Sequence, residues 1–356
     1  MKKGMINIAG ASEGRIAPII TELLKENKGQ CLIVVPTLNR ARRLQTDLSF
    51  FSALNTSGEN VSGEEGPAIY ILPPEDEGVA SYEAKSNDTL LESMLVLKAV
   101  TSGENCIVIA PVMAAIRKLP PKEIFTENII ELETGEDVDI PELQKKLSLM
   151  GYERAPMIEA RGEYSIRGGI IDIFTPEGRL PYRIELFDTE IDSIRSFDVD
   201  TQRSEENLKS IAIYQCSQIA RDEEVFAKAS GRIKRAYNRA IKRAADNREL
   251  VSELEKRRDQ LLEYADGMIN LQYMEKFLGY FYDDTEYIWD YMTGPQIMVD
   301  DPARILETIE AELSKQAYDI EEILAGGKGI KEDFSLLPKT EDFFRLYDRP
   351  EEKGLE

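Results

Sequence analysis

The stretch Arg161-Gly-Glu-Tyr-Ser-Ile-Arg167-Gly-Gly-Ile-Ile-Asp172-Ile-Phe174 decides how this 356-residue chain is organised, together with Tyr182-Arg-Ile-Glu185-Leu-Phe-Asp188 and Ile191-Asp-Ser-Ile-Arg195-Ser-Phe197. Tyr182, Ile184 and Leu186 alternate with Arg183 and Glu185, the period of a strand with one apolar and one charged face. Thr175–Gly178 and Asp188–Thr189 are turn material, so Tyr164–Phe174, Tyr182–Asp188 and Ile191–Phe197 read as an antiparallel meander. With a short helix expected at Pro141–Met150, this makes a domain of α+β type.

Outward from that block the period changes on both sides. Upstream, strands expected at Ile6–Gly10, Cys31–Pro36, Ala68–Leu72 and Cys106–Ala110 alternate with helices at Pro18–Glu26, Leu38–Leu54 and Thr89–Val100. Strands separated by helices of this length imply right-handed crossovers and a parallel sheet. Downstream, one short strand at Ile211–Tyr214 precedes helical segments at Glu223–Ala229, Ile233–Ala245 and Leu250–Ala265, a hairpin or a triple. A final strand at Gln296–Val299 leads into a helix through Pro302–Ala317. The tail from Ala325 is rich in Gly, Lys and Glu, with Leu336-Leu337-Pro338 and Phe343-Phe344 as isolated apolar anchors, and reads as a linker.

Composition narrows the chemistry. The chain has no histidine, which removes His-based acid–base catalysis, Ser-His and Cys-His nucleophiles and every His-containing zinc site. Cys31, Cys106 and Cys216 lie 75 and 110 residues apart, a spacing that suits neither a disulfide framework nor a metal centre. The longest apolar runs are too short for a bilayer, which takes ~20 residues, and no secretory signal opens the chain; a cytoplasmic protein without membrane contact is expected. Net charge is −22, so the chain as a whole does not advertise nucleic-acid binding. One segment runs against this balance. Residues 225–245 hold seven cations (Lys228, Arg232, Lys234, Arg235, Arg239, Lys242, Arg243) and no acid. A solvated helix face is one explanation; DNA contact through Arg232, Arg235, Arg239 and Lys242 is the other.

Gly10-Ala11-Ser12-Glu13-Gly14-Arg15-Ile16, between an expected strand and helix, has the setting of a phosphate-binding loop. A working loop reads G-x-x-x-x-G-K-[S/T]. Here only three residues separate Gly10 from Gly14, Arg15 takes the lysine place, and Ile16 replaces the Mg²⁺-ligating hydroxyl. Asp300-Asp301, after the last strand, occupies the place of a helicase-type carboxylate pair, yet Asp301 before Pro302 also suits a helix N-cap. ATP turnover is not expected, because the positioning and charge-stabilising groups of phosphoryl transfer are lacking.

The residues Gly151-Tyr-Glu-Arg154, the block 161–174, Tyr182–Asp188, Ile191–Arg195, Phe197-Asp198 and Thr201–Ser204 closely resemble the second domain of bacterial transcription-repair coupling factors. They resemble the matching domain of excinuclease B more loosely. Val35-Pro36-Thr37 with Arg40–Leu44, the exit Ile109–Val112 and the return Phe281–Arg304 are similar to the flanking subdomain of the same family. The resemblance covers about residues 5–350, and the chain departs from the commoner family pattern around Pro73–Ala84.

The resemblance implies an α/β fold: a split RecA-like (P-loop NTPase-type) domain with degenerate nucleotide motifs, interrupted by an inserted α+β domain. Residues 1–118 would form its first half, 119–205 the inserted partner-binding domain, 206–324 the return half with a helical hairpin, and 325–356 a linker towards downstream domains. It implies a non-catalytic adaptor that recruits excinuclease A to RNA polymerase stalled at DNA damage, in transcription-coupled nucleotide excision repair. The intact factor would be an ATP-dependent DNA translocase. Its ATP, Mg²⁺, RNA polymerase and duplex DNA would be engaged through domains beyond these residues, with no cofactor held here. Arg154 and Arg167, with Arg161 and Tyr164 beside them, are the residues the resemblance carries over for binding excinuclease A. Arginine and tyrosine suit such a role on chemical grounds, since both are enriched among interface hot spots. Pairing of each arginine with a local acid (Glu153, Glu159, Glu163 or Asp172) is the competing explanation.

Overall fold

The computed structural model describes residues 13–24, 29–56, 66–74, 87–176 and 178–347. A parallel sheet carries one half of the molecule, with β1 (Cys31–Val35), β2 (Ala68–Ile71), β3 (Cys106–Pro111) and β12 (Gln296–Val299) in the order β12-β1-β3-β2. The apolar runs of β1 and β3 are buried on both faces, as parallel strands under crossover helices are. Cys31, Ile33 and Val35 face Ala17, Ile20, Leu44 and Leu48 of the helices Glu13–Leu24 and Leu38–Thr56. Leu32 and Val34 face the opposite layer, with Leu97, Trp289, Ile305 and Ile309. Return of the chain to this sheet is explicit in the register, where Cys31 to Val34 pair with Gln296 to Val299. The expected strand Ile6–Gly10 lies outside the described residues, as do Gly10 and most of the divergent loop near Pro73.

Between β3 and β12 the chain builds a second sheet of six strands, β10-β9-β8-β7-β6-β5. Its strands are β5 (Glu153–Arg154), β6 (Glu163–Arg167), β7 (Ile170–Ile173), β8 (Tyr182–Phe187), β9 (Glu190–Phe197) and β10 (Ser204–Leu208). Tyr164–Phe174, expected as one strand, is a hairpin. Arg167 pairs with Ile170 across Gly168-Gly169, and Gly168 has φ +61°, the left-handed conformation that a two-residue turn requires. Ile171, Ile173, Ile184, Ile191 and Ile194 pack on Leu143 and Leu147 of the helix Ile140–Leu149. β11 (Ser210–Ile213), expected to open the return half, pairs antiparallel with β4 (Ile130–Glu133), and Ile211 and Ile213 join the core of the inserted sheet.

The basic segment forms one continuous helix, Glu223–Arg243, paired with Arg248–Gly267, so the helical region is a hairpin at its centre. Gly231 does not break it. A mid-helix glycine costs about 1 kcal/mol relative to alanine, less than the burial of Phe226, Ile233 and Tyr237 returns. The helix after β12 runs eight residues past its expected end, Pro302–Ala325, because nothing before Gly326-Gly327 interrupts it. Residues 326–347, expected as a linker, pack on the body instead. Asp333 accepts hydrogen bonds from the hydroxyls of Tyr237 and Tyr280 at 2.7 Å each, and Phe343 and Leu346 enter the core of the parallel sheet. The isolated acids and aromatics of this segment are its anchors.

Candidate partner-binding site

Register sorts the inserted sheet into two chemistries. Tyr164, Ile166, Ile171, Ile173 and Ile184 share the core face, whereas Ser165, Asp172, Arg183 and Arg195 line up in one row on the other. Asp172 is 1% exposed and stands at the centre of that row. Its Oδ1 accepts from Arg183 Nε at 2.7 Å, and its Oδ2 from Arg183 Nη2 and Arg167 Nη2 at 2.9 Å each. This is a bidentate fork with a third donor, the strongest arrangement a carboxylate offers arginine. Arg183 also donates to Gln202 Oε1 at 2.8 Å and lies 4.1 Å over the Phe197 ring. The charged face is therefore covered, not solvated: Ile158, Phe174 and Phe197 form a small cluster over it, and Ser165 Oγ donates to the Pro156 carbonyl at 2.9 Å. Of the two arginines on Asp172, only Arg167 keeps much of its side chain, 44%, in water.

Arg154 and Tyr164 meet at the sheet's other margin. β5 pairs parallel with β6 so that Arg154 is opposite Tyr164. Gly151 places β5: it follows the preceding helix with φ +90°, and a Cβ there would lie 2.6 Å from Ser217 Cβ. The Tyr164 ring is buried, and that burial raises the pKa of its hydroxyl, while the Arg154 and Arg221 charges and a hydrogen bond with Gln144 act the other way. Arg161 is exposed in the turn before β6. Its neighbour Glu163 is engaged elsewhere, accepting the backbone N–H groups of Glu159 and Ala160 at 2.7 and 3.0 Å. The four residues thus do not form one cluster: Arg154 with the buried Tyr164 lies at one margin, and Arg167 on Asp172 lies at the far end of β6 on the opposite face. Arg161 stands apart from both.

Two further participants are not singled out by sequence. Alternation alone places Arg183 on a charged face, yet it is the better-held partner of Asp172. Phe187, at the end of β8, is 79% exposed, the largest value for any big apolar side chain among the described residues. The turns Gly168-Gly169 and Asp188-Thr189 lie at the same end of the sheet, so Arg167 and Phe187 flank that end about 12 Å apart, two strands and two residues away. The signal for Phe187 is present in the sequence, as an aromatic directly before a tight turn.

At the edge of the parallel sheet, Gly14 and Arg15 sit exposed in the first turn of the helix Glu13–Leu24, which is already formed five residues before Pro18. Asp300 accepts from Arg40 Nε at 2.6 Å, and Asp301 caps the helix Pro302–Ala325 by accepting the Arg304 N–H at 3.2 Å. Both acids of the pair have structural partners. Burial pushes the thiols of Cys31 and Cys106 up to about 12, so neither is a nucleophile at neutral pH. On the basic helix, Arg232 pairs with Asp283 and Arg239 approaches Glu332, while Arg235 and Lys242 are exposed. Among the described residues there is no cluster of three or more acid or thiol ligands able to hold a metal, and no helix long and apolar enough to cross a membrane.

Residues 130–218 match the family described as the UvrB interaction domain, the span that runs from β4 through β11. Over 324 residues, 91% of this chain, the sequence is 31% identical to the transcription-repair-coupling factor of Staphylococcus aureus strain MRSA252. It is 28% identical over 326 residues to the transcription-repair-coupling factor of Staphylococcus haemolyticus strain JCSC1435. The chain spans about a quarter of the length of these relatives, 26% and 27%. On this similarity the chain belongs with the N-terminal region of the transcription-repair-coupling factors.

Proposed function

We propose that this chain is a non-catalytic adaptor module of transcription-coupled repair whose inserted domain docks excinuclease A. The observation that carries the proposal is the rim of that domain. Arg167 has one end fixed on a buried carboxylate and the other in water, and the exposed Phe187 stands at the same end of the sheet. An arginine held in this way loses little rotamer freedom on binding, and the exposed aromatic at the same end of the sheet supplies apolar area, the two residue types enriched among hot spots. The exposed Arg154 on the edge strand β5 would add a separate charged contact, with the buried Tyr164 only supporting it.

The α/β half would be a split RecA-like scaffold with degenerate nucleotide motifs, and this part of the protein would hold neither ATP nor Mg²⁺. The engagement of Asp300 by Arg40 and the capping role of Asp301 support that reading. Contact with RNA polymerase, and ATP-driven translocation on duplex DNA, would belong to other parts of the whole factor. Calorimetric titration of the 356-residue chain with purified excinuclease A tests the proposal. Binding at micromolar or tighter dissociation constants, about −8 kcal/mol, is expected. Arg167→Glu should weaken it in a chain that still melts cooperatively, at a lower temperature because the new carboxylate faces buried Asp172. A wild-type chain that does not bind, or an Arg167→Glu chain that binds equally well, refutes the docking site. In parallel, ATP with Mg²⁺ should give no binding heat.

A further inference from the structure

The helix Glu223–Arg243 carries a row of cations that adaptor function leaves unused. Lys228, Arg232, Arg235, Arg239 and Lys242 recur at intervals of four, three, four and three residues, so they share one face. At 1.5 Å per residue the row is about 21 Å long. Phe226, Ala229, Ile233, Ala236 and Tyr237 are buried in the core shared with the helix Arg248–Gly267, which turns the cationic row outward. Midway along it lies a cleft of about 320 Å³, lined by Arg232, Arg235, Arg239, Tyr280, Glu332 and Ser335.

The local charge is decided by which cations are already satisfied. Asp283 takes Lys228 at 2.8 Å and also holds Arg232. Glu332 lies 3.7 Å from Arg239. Among the described residues no ion pair involves Arg235 or Lys242, nor Lys234 and Arg243 beside them. The five cations of the row thus meet two carboxylates at contact distance, Asp283 and Glu332, while the helix's own acids, Glu223 and Glu224, are confined to its first turn. The −22 charge of the whole chain does not cancel this surplus, because distant charges are screened beyond a Debye length of ~8 Å at physiological salt.

We infer that this face binds the phosphodiester backbone of duplex DNA without reading its sequence. A duplex presents a dense, two-stranded array of phosphates, so the row of five cations, of which Lys228 and Arg232 already meet Asp283, can neutralise about three to five of them. Guanidinium forks suit phosphate oxygens, and three of the five residues in the row are arginines. A protein partner would need an apolar anchor, yet none of the exposed large apolar side chains among the described residues lines the cleft. Nor does an amide there point outward to read base edges; Asn238, the one amide on this stretch of helix, accepts from Arg258 at 2.9 Å.

Fluorescence anisotropy of a labelled duplex of about 20 base pairs, titrated with the 356-residue chain from about 50 to 200 mM salt, tests the inference without excinuclease A. Binding should fall with salt with a log–log slope of about −3 to −5, near −0.9 for each phosphate neutralised. The double variant Arg235→Ala/Arg239→Ala removes two exposed side chains and should shrink that slope by about 2, weakening binding at least about tenfold at the lowest salt. Lys145→Ala/Lys146→Ala, on the inserted domain, should leave both quantities unchanged. The inference is overturned by a wild-type chain that does not bind at the lowest salt, or by an arginine variant that melts and binds as wild type. It is also overturned if polyglutamate displaces the duplex at equal charge, since that result assigns the face to an acidic polypeptide.

Discussion

Two carboxylate–arginine clusters sit in the two sheets and are used differently. In the parallel sheet, Asp300 at the end of β12 holds Arg40 across the ends of two strands, and both side chains are largely covered. In the inserted sheet, Asp172 holds two arginines, one covered and one reaching water. The first cluster engages its acid wholly within the fold, at the end of β12. The second leaves one charged group presented, anchored but accessible. A buried acid that is saturated by its own fold is a structural part; one that holds a half-exposed arginine makes a rigid contact point.

The comparison breaks most readily at Asp172. Asp172→Ala leaves Arg183 covered and without its carboxylate, and should destabilise the chain by about 3–5 kcal/mol in urea unfolding, more than Asp300→Ala does. Equal costs would mean that the two clusters do the same work. Phe187→Ala comes next: with 79% of the residue already in water, its melt should be unchanged, while affinity for excinuclease A drops by about 2 kcal/mol by calorimetry. An unchanged affinity would confine the contact to the arginines.

Asp333, in the segment docked on the helical hairpin, sharpens the comparison by pH. Burial raises its pKa above 3.8 despite hydrogen bonds from Ile330 N and the hydroxyls of Tyr280 and Tyr237. A carboxyl with a raised folded pKa contributes most below its unfolded pKa and loses that contribution as pH rises through the folded value. Stability of the wild type relative to Asp333→Asn should therefore fall with rising pH above 3.8, by at most about 1.4 kcal/mol per pH unit. A difference that stays flat or rises would show the site to be better solvated than its burial suggests. The smallest effect belongs to Asp301→Ala, about 1 kcal/mol for a lost N-cap. If that substitution instead abolished a nucleotide-binding signal, the capping role would be displaced by a catalytic one.

Much of the fold is legible in the sequence because its signals are local. β1, β3 and β12 stand out as apolar runs, and the helices between them as amphipathic segments bounded by turn residues. The departures are of two kinds. Gly168-Gly169 lies inside an apolar run that reads as one strand, although paired glycines between alternating residues are what a tight hairpin needs. The pairing of β11 with β4, and the docking of residues 326–347, depend on partners some 80 to 100 positions away, which periodicity does not encode. At the site, Arg154, Tyr164 and Arg167 stand out by resemblance and by their chemistry. The covered position of Arg183 is not legible, because its alternating strand looks the same whether the charged face meets water or Phe197 and Phe174. Phe187 is legible by contrast, since the alternation that turns Tyr182, Ile184 and Leu186 inward puts it on the outer face with Arg183 and Glu185, directly before a turn.

The place of β12 beside β1 has a consequence for synthesis on the ribosome. Arg40 and Asp300 are 260 residues apart, so at roughly 5–20 residues per second β1 waits about 13–50 s for its neighbour to emerge. Throughout that interval an apolar strand of Cys-Leu-Ile-Val-Val offers one unpaired margin to any other chain, the situation in which nascent sheets pair wrongly. The inserted domain, whose strands pair with close neighbours and with β4, can complete itself in the meantime. The late-arriving strand then makes the nascent protein most vulnerable in its parallel sheet, while the inserted sheet is already formed.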